Sequence, residues 1–288
     1  MKRFGLAVSL LVLMTSCEYR FDVSSPVEGT RMFVEGIIGL EDTDYIRVQK
    51  AVPVGEDAQD GDSYEVGSIV YTEDGRAHAL EKIDTLQFYV AHGAPAAGSV
   101  LRFSLSTKGE PAVSAITTVP DVPQASWTCT VINGTAHWKM TVDSPEDRYY
   151  ALMCYGRYEF EDGEYWGATT VSADQAGTSY YETLTAQLRQ TTWVSAYEPY
   201  RLTVLRGDEL SGGTFAFATD GTGSAYRMVL LGLSEEAYSY LNAKYNKENN
   251  MLAMIGLSPA NFAYTNVEGG YGVFAAVSRT EETIQINQ

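Results

Sequence analysis

Short apolar runs that alternate with polar positions cover most of the chain, and this pattern predicts β-strands. From Met32 onward, turn signals separate the runs at intervals of roughly 8 to 15 residues. In the clearest hairpin the turn Asn133-Gly134 joins two alternating strands, because this dipeptide tolerates the positive φ angles of a tight turn. The apolar positions of these two strands are Trp127, Cys129, Val131, Ala136, Trp138, Met140 and Val142. Strands of this length and spacing are typical of a β-sandwich or a β-barrel.

Two prolines interrupt the strand pattern near the middle of the chain, at Pro120 and Pro123. Proline lacks a backbone donor and stiffens the chain, so the segment 120–123 reads as a linker. We therefore predict a mostly β protein with two antiparallel β-sandwich domains. The N-terminal domain, residues 28–119, is expected to be Ig-like or prealbumin-like, and the C-terminal domain, residues 124–288, to be a larger sandwich.

The sequence predicts one helix within the C-terminal domain, near residues 234–247. Ser234 can cap its N-terminus, and Glu235 and Glu236 fall in the first turn, where the helix dipole favours anions. The expected buried stripe consists of Ala237, Tyr238, Leu241 and Tyr245.

The chain begins with a cationic Met1-Lys2-Arg3 and an apolar run from Phe4 to Met14. The run is too short to span a bilayer as a helix but suits the core of a signal peptide. Thr15-Ser16-Cys17 follows and resembles the lipobox of bacterial lipoproteins, in which the cysteine thiol is acylated. We predict a signal peptide at 1–16, lipidation of Cys17 and a tether at 17–27. The alternatives are an ordinary secretory peptide with an incidental cysteine, or a first buried helix.

Acidic residues outnumber basic residues, 37 to 20, in the 288-residue chain, which has a formal net charge of −17. Removal of Lys2 and Arg3 with the leader would leave 18 basic residues and a net charge of −19. Nucleic acids and anionic lipid surfaces are bound by clustered Lys and Arg, so this balance argues against both as partners.

The C-terminal third carries a resemblance to a known family. Its residues are the run Leu233-Ser234-Glu235-Glu236-Ala237-Tyr238, then Asn261-Phe262, then the run from Thr265 to Phe274. These runs resemble the end of a Bacteroidota lipoprotein family catalogued as domain of unknown function 4249, and the upstream segments 33–38 and 118–120 are similar to it as well. The resemblance implies an outer-membrane lipoprotein with two β-rich domains, often encoded beside TonB-dependent receptors. It supplies no catalytic residues.

Aromatic residues are concentrated between Tyr149 and Tyr200, where they make up 12 of 52 residues, about 23% against 12% for the whole chain. Exposed Tyr and Trp side chains are favoured at binding surfaces. The residues of this candidate surface are Tyr158, Tyr165, Trp166, Tyr180, Tyr181 and Trp193. The alternative is that the aromatic rings pack in the core and at sheet edges.

Other residues with reactive or metal-binding side chains give weaker signals. Cys129 and Cys154 lie in strand-like contexts, where either a disulfide or buried free thiols fit. Glycine-rich 269–272 predicts a turn or bulge, since it lacks the flanking elements of a phosphate-binding loop. We predict no metal site: the three histidines, His78, His92 and His137, have no metal-ligand spacing.

Two loops carry clusters of acidic side chains, for which solvated carboxylates and a calcium site are the alternatives. The clusters are Glu56, Asp57, Asp60 and Asp62 in one loop and Glu159, Glu161, Asp162 and Glu164 in the other. Neither follows the spacing of a known calcium-binding loop, and we predict that both are solvated.

From these observations we predict a non-catalytic accessory protein of the outer membrane, anchored by its lipid and exposed on the cell surface. It is expected to bind a ligand or a TonB-dependent transporter, without a cofactor. The alternatives are a structural or adhesive surface module with no small ligand, and a carbohydrate-active enzyme.

Overall fold

The computed structural model contains eighteen β-strands and one α-helix within the residues that it describes. These residues are 31–51, 66–83, 88–145, 148–160, 163–169, 171–173, 178–182, 200–219, 223–249 and 264–286. The predicted leader and Cys17 lie outside them.

The strands of the N-terminal part are β1 (Arg31–Ile38), β2 (Thr43–Ala51), β3 (Val66–Glu73), β4 (Arg76–His78), β5 (Leu80–Ile83), β6 (Phe88–His92), β7 (Val100–Thr107) and β8 (Val113–Thr118). Those that follow are β9 (Ala125–Ile132), β10 (Thr135–Val142), β11 (Tyr149–Phe160), β12 (Gly163–Ala168), β13 (Val171–Ala173), β14 (Thr178–Glu182), β15 (Tyr200–Arg206), β16 (Thr214–Thr219), β17 (Ala225–Leu233) and β18 (Tyr271–Gln285). The helix, α1, spans Glu235–Asn249, and a short 3-10 turn spans Gly207–Glu209.

The described strands form one large sheet and two small sheets. The large sheet has ten strands in the order β14-β15-β11-β17-β18-β1-β2-β6-β5, with β12 paired to β11. The N-terminal small sheet has the order β4-β3-β7-β8, and the C-terminal small sheet has the order β13-β16-β10-β9. The Asn133-Gly134 turn lies between β9 and β10, and both of its residues have positive φ.

The last strand, β18, lies in the middle of the large sheet and joins its two halves. Its first part pairs in parallel with β1, from Phe33 opposite Tyr271 to Ile38 opposite Ala276. Its second part pairs antiparallel with β17, beginning at Val277 opposite Leu233. The large sheet therefore contains strands from before and after the predicted linker, so the two predicted halves of the chain share one sheet.

Side chains of β18 alternate between the two faces of the large sheet. Phe274 and Ala276 face the N-terminal small sheet, where the Phe274 ring centroid lies 5.3 Å from that of Phe103. Val273 and Ala275 face the opposite side, which is covered by α1. The C-terminal small sheet packs on the same face as the N-terminal one, since Met228 and Leu230 of β17 belong to its core. The described residues thus form three layers: the two small sheets side by side, the large sheet, and the helix.

The helix begins as its sequence predicts. The backbone N–H of Ala237 donates to Ser234 Oγ at 3.2 Å, and Ala237, Tyr240 and Leu241 are buried against the large sheet. Tyr240 Oη donates a hydrogen bond to the buried carboxylate of Glu35 on β1, which also pairs with Arg47 on β2. A helix from the C-terminal half is thereby attached to strands from the N-terminal half.

The proline-containing segment between β8 and β9 packs against the large sheet. Ser278 Oγ donates to the backbone carbonyl of Asp121 at 2.9 Å. Opposite Ser278 lies Gly232, where a Cβ atom would sit 3.1 Å from the same carbonyl oxygen. A side chain at position 232 would therefore push this segment away from the sheet.

The prediction of a mostly β, sandwich-type fold with one helix is confirmed for the described residues. The parallel pair of β1 and β18 is the addition that strand patterns did not predict, because no hairpin turn links strands so far apart in the sequence.

The position of Phe274 generates the first prediction. Its side chain is fully buried and contacts the rings of Tyr71 and Phe103. Replacement by alanine removes these contacts and leaves a cavity, so Phe274→Ala is expected to lower the free energy of unfolding by about 3–5 kcal/mol, measured by urea denaturation. Val122→Ala, at a side chain that is 42% exposed, is the control and is expected to change it by less than about 0.5 kcal/mol. A similarly small effect of Phe274→Ala would contradict its place in the core.

Candidate functional site

The aromatic segment singled out by the sequence begins with the long strand β11 and its partner β12. The first part of β11 lies between β15 and β17. Its second part, from Tyr155, pairs with β12, so that Tyr158 lies opposite Tyr165 and Arg157 lies opposite Trp166. Directly opposite residues of an antiparallel pair share a face, and neighbours along a strand alternate. Tyr158 and Tyr165 therefore lie on one face of the hairpin, and Trp166 lies on the other.

Tyr158 and Tyr165 lie against two glycines of the same hairpin. A Cβ atom at Gly156 would be 3.1 Å from the Tyr158 ring, and one at Gly167 would be 3.1 Å from the Tyr165 ring. The absence of side chains at these positions allows the rings to lie close to the backbone. Tyr165 remains 48% exposed, whereas Tyr158 is half-buried.

On the opposite face, Trp166 forms part of a group that we call the arginine–aromatic cluster, consisting of Tyr155, Trp166, Arg227 and Glu281. Arg227 Cζ lies 4.7 Å from the ring centroid of Tyr155 and 5.5 Å from that of Trp166. Such cation–π contacts contribute about 0.5–1 kcal/mol each at exposed sites. They also hold the guanidinium group of Arg227 in one orientation.

Charged side chains surround the arginine–aromatic cluster. Glu281 lies 3.9 Å from Arg227 Nε and is paired more closely with Arg279. Arg157 lies 3.6 Å from Glu164 and donates from Nε to Ser224 Oγ at 3.1 Å. Three arginines and two glutamates whose side chains are described thus meet on this face.

Two further residues of the predicted surface, Tyr180 and Tyr181, are placed away from this cluster by the backbone. Tyr180 and Tyr181 lie on β14, opposite Leu202 and Arg201 of β15. The strand β14 is separated from β11 by β15, so the backbone places these tyrosines two strands away. Trp193 lies outside the described residues.

Sequence reasoning missed Arg227 and Glu281 as partners of the aromatic side chains. One signal was present: Arg227 is the single charged residue in the apolar run of β17. A charged side chain in such a run indicates an opening in an otherwise buried face. Nothing in the sequence showed which aromatic residues would meet it, because β17 and β12 are joined only through β11.

The two cysteines meet in the core beneath the C-terminal small sheet. Cys154 of β11 is buried there, and the half-buried Cys129 of β9 packs against the same core. Both are free thiols in this structure. Burial raises the pKa of both thiols, and the nearby Cys129 raises that of Cys154 further. Since the thiolate is the reactive form, neither cysteine is poised as a nucleophile at neutral pH.

Histidines and acidic side chains form pairs in the described part of the chain. His78 Nε2 lies 3.0 Å from Glu73, and His92 Nε2 lies 3.7 Å from Glu81. Across the described residues there is no group of three or more His, Cys, Asp or Glu side chains arranged to hold a metal ion. The predicted acidic cluster at 56–62 lies outside these residues.

Among the described residues, none of the helical structure is both long enough and apolar enough to cross a membrane.

The positions of the two cysteines generate the second prediction. In the native full-length protein, N-ethylmaleimide is expected to modify Cys129 before Cys154, because Cys129 is partly accessible and Cys154 is buried. Peptide mapping by mass spectrometry after timed labelling measures the order, and labelling in denaturant serves as the control in which both react alike. Recovery of a Cys129–Cys154 linked peptide without reductant, or faster labelling of Cys154, would contradict this prediction.

Comparison with known proteins identifies one family for this chain. The model of the family described as domain of unknown function (DUF4249) matches residues 17–283. No curated protein matches the chain. Because the match covers nearly the whole sequence, the chain belongs to the DUF4249 family.

Proposed function

We propose that this protein is a lipid-anchored outer-membrane protein that binds a ligand or a TonB-dependent transporter without catalysing a reaction. The arginine–aromatic cluster is the observation that carries the binding function. The lipobox-like sequence ending at Cys17 supports the anchor.

The composition of the cluster supports binding. Tyr, Trp and Arg are the residues most enriched in the energetically dominant parts of protein interfaces. The guanidinium group of Arg227 is stacked on two rings and so loses little conformational entropy when a partner binds. The Arg227 side chain is 33% exposed, so the solvent-facing part of its guanidinium group is accessible to a partner.

Pull-down from detergent-solubilised membranes with a tagged full-length protein tests this binding function, which is the third prediction. The wild type is expected to recover an outer-membrane receptor or a ligand. Arg227→Gln, which removes the charge and the cation–π contacts, is expected to reduce the recovery about tenfold or more. Trp166→Ala is expected to act in the same direction.

Arg206→Gln is the matched control for that experiment. Arg206 pairs with Asp208 and Glu209 at the end of β15 and has no contact with the cluster. It is expected to leave the recovery unchanged, and circular dichroism verifies that each variant is folded. Equal recovery by wild type and Arg227→Gln would refute the role of the cluster.

A structural or adhesive surface module is the second candidate function. The strand β9 is the last strand of the C-terminal small sheet within the described residues, and it carries no charged side chain. Val131 and Ile132 at its end are exposed. Uncharged edge strands readily pair with strands of another molecule. Recovery of copies of the protein alone in the pull-down would favour this function.

The anchor is the subject of the fourth prediction. Cys17→Ala is expected to abolish incorporation of radiolabelled palmitate, because the thiol that accepts the lipid is lost. Cys129→Ala is the control and is expected to retain the label. Digestion of intact cells with a protease measures the exposure on the cell surface, where the protein is expected to be cleaved. Labelling of Cys17→Ala, or full protection from protease, would refute the anchor or the surface location, respectively.

A further inference from the structure

The outer face of the N-terminal small sheet carries a groove of about 460 Å³, which lies apart from the arginine–aromatic cluster. Its floor is formed by β3, β7 and β8, and Asn266 and Glu268 form one wall. This volume falls in the range of sites for small molecules and short peptides.

The wall of the groove is formed by the Asn-Val-Glu-Gly-Gly segment, residues 266–270, which belongs to the run that carries the family resemblance. Ser114 and Glu268 exchange two backbone hydrogen bonds, of 3.1 and 2.8 Å, so this segment continues the small sheet beside β8. Val267 points into the core, and Glu268 points to the groove, where Ser114 Oγ donates to its carboxylate at 3.3 Å. Asn266 is fixed by bonds to the backbone of Ile116 and Phe274.

Glycines allow this segment to lie so close to the core. A Cβ atom at Gly269 would sit 2.3 Å from the carbonyl oxygen of Ala112, and one at Gly272 would sit 1.9 Å from that of Val34. Both have positive φ. The wall is therefore held by backbone packing and hydrogen bonds before any ligand arrives.

The floor of the groove is a grid of side chains set by the strand register. In one row, Thr72 lies opposite Arg102, which lies opposite Ile116. In the next row the order across the strands is Val70, Ser104, Ser114 and Glu268. Val70 and Ile116 are 40% and 46% exposed, so the grid combines apolar surface with hydroxyl groups. The residues between them, such as Phe103, face the core and keep the floor rigid.

Two opposite charges belong to this grid, Arg102 in the first row and Glu268 at the end of the second. Arg102 and Glu268 are two strands apart across the sheet and one pair apart along it. With strand spacings of about 4.8 Å and about 6.8 Å per two residues, their Cα atoms are about 12 Å apart. Within the described residues, Arg102 has no ion pair or hydrogen bond, so its guanidinium group is available to a ligand.

We infer that this groove binds a short peptide with free termini. The peptide carboxylate pairs with Arg102, because a guanidinium group offers two parallel donors to a carboxylate. The peptide ammonium group pairs with Glu268, and an apolar side chain between the two charged ends covers Ile116. An extended tripeptide spans about 10 Å, which matches the separation of the two charges after allowance for their side chains.

Isothermal titration of the full-length protein with the tripeptide Ala-Leu-Ala tests this inference, which is the fifth prediction. The free tripeptide is expected to bind, and the same peptide with an amidated C-terminus is expected to bind about tenfold more weakly or worse. The Arg102→Gln variant is expected to bind the free peptide about tenfold more weakly than the wild type does, and amidation of the peptide is expected to cause no further loss of affinity. At the other end of the peptide, N-acetylation is expected to weaken binding to the wild type by about the same factor. Glu268→Gln is expected to bind the free peptide equally weakly and to show no further loss when the peptide is acetylated.

Arg76→Gln is the matched control, since Arg76 is exposed on β4 and does not line the groove. It is expected to bind the free peptide like the wild type. Absence of heat with the free peptide at about 1 mM would overturn the inference, as would equal binding of the amidated peptide or unchanged binding by Arg102→Gln. If Glu268→Gln does not fold, the acetylated peptide on the wild type decides that end. Failure here would leave the arginine–aromatic cluster unaffected, because it lies on a different face and is tested by a different variant.

Discussion

The double pairing of β18 is the interaction on which the rest of the structure depends. Through its parallel bonds to β1 and its antiparallel bonds to β17, this strand unites the beginning and the end of the described chain in one sheet. These contacts can form only after the whole intervening chain has been synthesised. Closing so long a loop costs conformational entropy, which the burial of apolar side chains must offset. Burial of Phe274 and Ala276 on one face and of Val273, Ala275 and Val277 on the other supplies that compensation.

Both candidate binding sites follow from the course of this strand. Just before β18, the segment from Asn266 to Gly270 pairs with β8 and forms the wall of the groove. Near its other end, β18 carries Arg279 and Glu281 to the side of Arg227. The same strand therefore positions side chains at two separate surfaces, one on each half of the molecule.

A buried charge network strengthens the connection between the halves. Glu35 is almost fully buried and accepts hydrogen bonds from Arg47 and Tyr240, which come from β2 and α1. Burial of a carboxylate is costly unless its partners stay in place, and loss of one partner leaves an unsatisfied charge. This network makes correct docking of the helix a condition for stable packing of β1.

By itself, the sequence determined those features that depend on local pattern: strand content, the Asn133-Gly134 turn, and the helix that begins after Ser234. It also located the aromatic excess of which Tyr155, Tyr158, Tyr165 and Trp166 are part. These features follow from residue periodicity, turn chemistry and capping, which act over a few residues. The tertiary structure alone decided that one sheet unites the two halves, that Trp166 lies opposite in face to Tyr158 and Tyr165, and that Arg227 and Glu281 join it. Those relations depend on strand register and on pairing between distant segments. A shift of the register by one residue would move every side chain of a strand to the other face of the sheet.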